Sequence, residues 1–394
     1  MIIVWVNKRN WKSPGPIVNV AVHNATSFSA IGYETHLCIG AGDDSSSRED
    51  LREFYGLNPP ENFHVYRIPR WRFRSSTYSF SVFRYAFKLV KSLSRGERVV
   101  VFTRESGFLA YLARLCRNPR ISGYYELHDG YADLSWVEKK KAMHYREKLY
   151  EHVFLPRISG VLCITESQQD MYRKLFPSLP SVAFPLGTKP VQKRREPSQK
   201  QKLRTLMYVG HMHKDKGVDF LLETAVKLSE HNIRTIFWGG NPKQVPKLDD
   251  KARSLGISDM VEFVPFRPPE EMHNALATRA SLGVVMLKDT FYNNYLTCPV
   301  KSLDYLSHGI PSLGSDLPSV REVLAYAGTY VSNDDADAFV QAARYLLDDP
   351  EHYEKMASLA VQRAHEISWE SRAKAIVNFV NSTTKNTKDT KNGI

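Results

Sequence analysis

In the segment TLMYVGHMHKDKG at Thr205–Gly217, a lysine and a glycine stand where an apolar run gives way to a helical pattern. Val218, Leu221, Leu222, Ala225 and Val226 form one apolar stripe, which predicts a helix beginning near Lys216 or Gly217 with unpaired N–H groups at its head. A diphosphate is drawn to such a helix end by the dipole and by the Lys216 ammonium. Gly217 leaves room for phosphate to come close, and Gly210 allows a sharp exit from the strand. Further on, CPVKSLDYLSHGIP at Cys298–Pro311 reads as a helix with Pro299 in its first turn and a stop at Gly309 and Pro311. Lys301, Asp304 and His308 then share one face, while Val300, Leu303 and Leu306 pack elsewhere. A carboxylate accepts both hydroxyls of a ribose, and an ammonium beside it holds phosphate or a sugar hydroxyl. The plain alternative is a surface ion pair between Lys301 and Asp304, worth about 0 to 1 kcal/mol. Against it stands placement, because a strand, Ser312–Gly314, follows the helix at once. Together the two segments suggest a pocket for a sugar nucleotide.

The elements that must position these residues alternate. Short β-branched or aromatic runs occur at Ile2–Val6, Thr35–Ile39, His64–Ile68, Arg98–Thr103, Ser122–Leu127, Gly160–Thr165 and Val182–Phe184, with stretches long enough for helices between them. The polar segment Thr188–Lys202, rich in Lys, Arg and Gln, is the best linker candidate. Beyond it strands recur at Thr205–Val209, Arg234–Trp238, Val261–Val264, Leu282–Leu287, Ser312–Gly314 and Thr329–Val331. This predicts an α/β chain of two doubly wound, Rossmann-like domains, residues 1–190 and 203–367, with a cleft between them. The polar end, 383–394, is expected to be disordered.

The chain has 394 residues and suits two domains of about 200 residues each. No apolar run approaches the roughly 20 residues that span a bilayer, and MIIVWV, stopped by Lys8 and Arg9, reads as a buried strand rather than a signal-peptide core. A cytoplasmic protein is expected. Cys38, Cys116, Cys163 and Cys298 lie far apart with no His at ligand spacing, so reduced thiols are expected and no metal. The net charge of +12 is uneven. From Arg67 to Arg95 basic residues interleave with aromatic ones and no acid intervenes. Within it Phe80, Phe83, Phe87 and Val90 line one helical face and Arg84, Lys88 and Lys91 another. Such a helix can lie on an anionic membrane surface or simply pack on a sheet. Nucleic acid ranks lower, since no nucleic-acid motif accompanies the charge.

The order YVGxxxxxKGVDxLL, then PxKxxxYLxxGxP with a following Ser-Asp, then a late tryptophan helix at Trp369, resembles the retaining family 4 glycosyltransferases of the GT-B fold, described as glycosyl transferases group 1. The likeness covers the second half. In the first half Gly15 resembles the family's glycine loop, His128-Asp129 its His-Asp pair, and FPLGT at Phe184–Thr188 its Pro-x-Gly before the linker. Residues 368–382 resemble the last helix, which rejoins the N-terminal, acceptor-binding domain. Three positions depart from the pattern. His211 replaces an arginine, Asp304 replaces the second glutamate of a Glu-x7-Glu pair, and Leu296 replaces the first, so the donor sugar would be held by other groups, such as the backbone N–H groups of the Asn294–Pro299 loop.

The resemblance implies transfer of a sugar from a UDP- or GDP-linked donor to a glycan or lipid-linked acceptor, with front-face retention, no metal and no cofactor, in cell-envelope or polysaccharide biosynthesis. It implies catalytic roles for Lys216 and His128 and a donor site of Gly15, Gly210, His211, Lys216, Gly217, Lys301 and Asp304. Asp129 would orient or bind acceptor, as would Glu166. The basic region Arg67–Arg95 would dock the protein on the inner face of the cell membrane. A second reading is a GT-B scaffold that has lost turnover and binds a glycan, partner or membrane.

Overall fold

A computed structural model describes residues 1–13, 15–73, 76–78, 80–212 and 216–389. The chain divides into two compact units, Met1–Gly187 with the chain from Trp369 onward, and Thr188–Ser368. In the first unit the strands are β1 (Ile2–Asn10), β2 (Thr35–Gly40), β3 (Phe63–Ile68), β4 (Trp71–Phe73), β5 (Ser76–Tyr78), β6 (Val99–Thr103), β7 (Ile121–Leu127), β8 (Gly160–Cys163) and β9 (Ser181–Ala183). All but β4 and β5 form one parallel seven-stranded sheet in the order β3-β2-β1-β6-β7-β8-β9. The second unit holds β10 (Thr205–Val209), β11 (Arg234–Gly240), β12 (Val261–Pro265), β13 (Leu282–Val285), β14 (Ser312–Ser315) and β15 (Gly328–Val331). These form a parallel sheet in the order β12-β11-β10-β13-β14-β15. In each sheet the order reverses beside the first strand of the unit, the arrangement that opens a crevice at the carboxyl ends of the strands.

Successive side chains of a strand point to opposite faces, and most of these strands are buried on both. Along β1, Ile3 and Trp5 enter one core with Phe28, Phe102 and Tyr124, while Val4 and Val6 enter the other with Val101, Leu109 and Leu112. Stacked rings fill the first core, with Trp5 5.4 Å from Phe102 and Phe102 5.6 Å from Tyr124. The helix Trp369–Asp389 closes the same core with Ile376 and Val380.

Every strand run read from the sequence is a strand, but four other features differ. The antiparallel hairpin β4-β5 lies inside the basic aromatic region, where the composition suggested no sheet. The Thr188–Lys202 segment is no loose linker. It contains the helix Pro197–Gln201, in which the buried Lys200 donates to the His308 carbonyl at 3.0 Å and Gln201 donates to the Leu347 carbonyl at 3.0 Å. The last helix reaches Asp389, well into the stretch expected to be disordered. A 2.6 Å hydrogen bond between the Tyr124 hydroxyl and Thr383 ties that extension to the sheet. Finally, the helix Phe80–Leu93 buries Val82, Phe83, Ala86 and Val90 but leaves Phe80 56% exposed, so the apolar face packs on the sheet without its first phenylalanine.

Candidate functional site

The second unit brings Gly210, Lys216, Gly217 and Lys301 to the carboxyl end of β10. Gly217 begins the helix Val218–Glu230 with φ +72, and a Cβ there would stand 2.9 Å from the Met286 carbonyl oxygen, so both conformation and space require glycine. Lys216 Nζ lies 3.5 Å from Asn293 Oδ1. Lys301 comes from the facing helix Val300–Ser307, for which Pro299 is the cap residue. Among the described residues its buried ammonium has no hydrogen-bond partner; it sits 3.7 Å from the centre of the Tyr208 ring and runs under Gly210. Burial, then the neighbouring Lys216 charge, pushes the Lys301 pKa well below the ordinary lysine value. Two cations therefore converge where the N–H groups of a helix head emerge, and an anion arriving there relieves both the desolvation and the mutual repulsion.

Lys301 and Asp304 make no ion pair within 4.0 Å among the described residues, which removes the plain alternative. Burial pushes the half-buried Asp304 up to about 7. A raised carboxyl pKa means that the folded state holds the proton where the unfolded chain has lost it. Stability from this group should thus fall as pH rises from about 4 to about 7, with an upper limit near 4 kcal/mol at about 1.4 kcal/mol per pKa unit. Asp304→Asn should flatten that part of a melting-temperature profile, and an unchanged slope would show that Asp304 is solvated.

His308 does not join the polar face. Its Nε2 stands 3.1 Å from His273 Nδ1, the rings stack, and burial with the His273 and Lys200 neighbours pushes it down to about 3. It serves packing under the helix. His211 is exposed and offers its carbonyl to the Tyr208 hydroxyl at 2.7 Å. Leu296 is buried in a five-residue π-type turn, Tyr292–Leu296. The Asn294 amide is used by that turn, donating to the Thr290 carbonyl at 2.9 Å, so it is not available to hold a sugar.

Two further residues shape this site: Tyr305, which stands in the PxKxxxYLxxGxP motif with no role assigned to it, and Asn293. Tyr305 is fully buried, accepts from the Val209 amide and donates to the Met207 carbonyl, both at 2.9 Å, and so bolts the Lys301 helix to the end of β10. Its ring fits because β13 has Gly283 beneath it, where a Cβ would lie 2.4 Å away. Asn293, also buried, donates to the Lys288 carbonyl at 2.9 Å while its side-chain oxygen faces Lys216. The paired signal, a strand glycine and a helix tyrosine, is visible only once the register is known.

In the first unit, Gly15 precedes the helix Pro16–Ala30 with φ +94. His128 follows the carboxyl end of β7, nearly buried, with Nε2 2.7 Å from Glu126 Oε1. Glu126, not Asp129, therefore orients the imidazole. Asp129 acts on it only through its charge. Glu126 also accepts from Arg372 at 2.8 Å and from Asn24 at 3.3 Å. Burial opposes its charge, yet Arg372 and His128 hold the carboxyl down at about 2. Burial and the Arg104 charge lower His128 below the usual histidine range. Glu166 opens the helix Glu166–Leu175 and is exposed. All four cysteines are free thiols, and burial pushes Cys38 up to about 12 and Cys116 to about 11.

Residues 203–349 match the family model described as Glycosyl transferases group 1. The chain is 28% identical over 189 residues to the D-inositol 3-phosphate glycosyltransferase of Corynebacterium urealyticum, a match covering 45% of this chain and 43% of that protein. It thus spans less than half the length of that relative. Among solved structures, Anabaena Alr3699/HepE in complex with UDP superposes with TM-score 0.65 at 14% identity, covering 97% of this chain and 100% of that one. TarM superposes with TM-score 0.70 at 9% identity, covering 96% of this chain and 98% of that one. The fold is GT-B, two Rossmann-like α/β domains.

Proposed function

We propose that the chain is a retaining glycosyltransferase of the family 4 type, moving a sugar from a nucleotide-sugar donor to a glycan or lipid-linked acceptor. The observation that carries this reading is the convergence of Lys216 and the buried Lys301 ammonium on the head of the helix Val218–Glu230, inside the segment matched as Glycosyl transferases group 1. Such a pair stabilises charge that grows on a departing diphosphate. Asp304 takes the ribose hydroxyls, Gly210 and His211 border the phosphates, and the Gly15 backbone approaches the donor. His128, held by Glu126, faces the reacting sugar, with Asp129 and Glu166 available to acceptor. The diphosphate oxygen takes the acceptor proton, so no metal is required. UDP appears with the HepE neighbour, which makes UDP-sugars the first donors to try. Turnover of at least one member of a panel of UDP- and GDP-sugars, measured as nucleotide release, is expected. Binding without any release would favour the scaffold that has lost catalysis.

A peripheral position on an anionic membrane fits the exposed Trp71 and Phe80 beside the exposed Arg84, Lys88 and Lys91. Among the described residues no helix is long and apolar enough to cross a membrane. Sedimentation with anionic vesicles should be strong at low salt and fall as salt rises. Equal sedimentation with neutral vesicles, or none with either, would defeat this placement, which would serve cell-envelope or polysaccharide synthesis.

A further inference from the structure

Glu34, His36 and His64 form a cluster far along the sheet from His128. The register pairs His36 of β2 directly with His64 of β3, so the two imidazoles rise side by side from one face, with ring centres 4.9 Å apart. Both lie at the amino-terminal ends of their strands, and His128 lies beyond the carboxyl end of β7. In a parallel sheet those are opposite edges. Glu34, one residue before β2, places Oε1 2.9 Å from His36 Nε2. One ligand atom from each of the three residues can be chosen so that all lie within 4.8 Å of one another. We propose that Glu34, His36 and His64 bind a divalent transition-metal ion of the zinc class, outside the transfer chemistry.

The chemistry of the donors fits that ion. Two neutral imidazoles and a carboxylate are a set that zinc accepts with a fourth position left to water. Donors around a tetrahedral ion at about 2.0–2.2 Å stand about 3.4 Å apart. Glu34 and His64 are exposed and free to turn by that small amount, whereas His36 is buried and fixed. The fixing group is Tyr66, whose hydroxyl lies 3.2 Å from His36 Nδ1. With Nδ1–H donating to that oxygen, the Nε2 lone pair points at the cluster, the arrangement by which an outer partner sets the tautomer of a metal-bound histidine. The sequence hides this site because no short spacing joins His64 to the Glu-x-His pair. Only the β2–β3 register does. The ion would clamp β3, the edge strand of the sheet, to its neighbour.

The test uses the full chain without a histidine tag, freed of metal by chelator. Zinc titration by calorimetry should show one equivalent bound at micromolar or tighter affinity. Cobalt should give the intense visible absorption of a four-coordinate site, and zinc should raise the melting temperature. His64→Ala and Glu34→Gln change exposed side chains, so both should fold, and each should weaken zinc binding at least tenfold while leaving donor turnover unchanged. Absence of zinc binding by the wild type, or equal binding by both variants, would overturn the proposal.

Discussion

Lys216→Ala should lower donor turnover by about 100- to 1000-fold, the cost of removing one charge that meets a developing anion in a water-poor site, about 2.7–4 kcal/mol. The loss should fall mainly on kcat, because the diphosphate gains charge as the glycosidic bond breaks and Lys216 acts most on that later state. Lys301→Ala should behave differently. Its ammonium is buried with no hydrogen-bond partner among the described residues and is repelled by its neighbour, so the free protein gains stability from the change while donor affinity drops. The pair should be coupled: in Lys216→Ala the repulsion on Lys301 is relieved, and the double variant should lose less than the sum of the singles. Nucleotide release and melting temperature for the four proteins check this. Additive losses, or Lys216→Ala with wild-type turnover, would show that the two cations do not share one anion.

The strands were legible because most are β-branched or aromatic runs bounded by turn residues, and a run such as Ile2–Val6 has few alternatives once buried on both faces. The Lys216–Gly217 motif was legible for a local reason: helix head, glycine and cation are neighbours in the chain. His308 was misread because helical spacing says which residues share a face but not what covers it, and His273, from a different helix, does. Likewise Asp129 was chosen to orient His128 because it is adjacent in sequence. The residue that does so is Glu126, on the same side of an extended strand and held by an arginine from the far end of the chain. The contact of Tyr305, on the Lys301 helix, with the end of β10 and that of His64 with His36 are of the same kind, created by register and packing alone.

Arg372→Ala should destabilise the first unit by about 3–5 kcal/mol, since it leaves a buried carboxylate without its cation. Arg372 is 4% exposed and Glu126 is fully buried. The guanidinium serves three groups, donating to the Pro185 carbonyl at 2.9 Å, to Asn24, and to Glu126 at 2.8 Å, and it fastens the helix that begins at Trp369 onto the sheet. A melting point lower by on the order of 10 °C is expected for a unit of this size. Arg372→Lys, which keeps the charge but loses the fork, should fall between. The effect also carries a pH signature. Glu126 has a folded pKa of about 2 against an ordinary 4.5, so its stabilisation is complete above about 4.5 and is lost as pH falls through about 2. His128, lowered below 6.5, adds a loss in the same direction as pH drops below its ordinary value, because the unfolded chain takes up the proton first. The contribution of Glu126 and His128 should therefore weaken from pH 6.5 downward, against the opposite drift set by Asp304. In Arg372→Ala the main force holding Glu126 ionised is gone, its pKa rises, and the acid limb of the profile should flatten. Glu126→Gln with Arg372→Met removes both charges and should recover part of the lost stability while His128 loses its orienting partner, so turnover should stay low even where folding is restored. Recovery of both together would mean that Glu126 holds the fold and does nothing for His128.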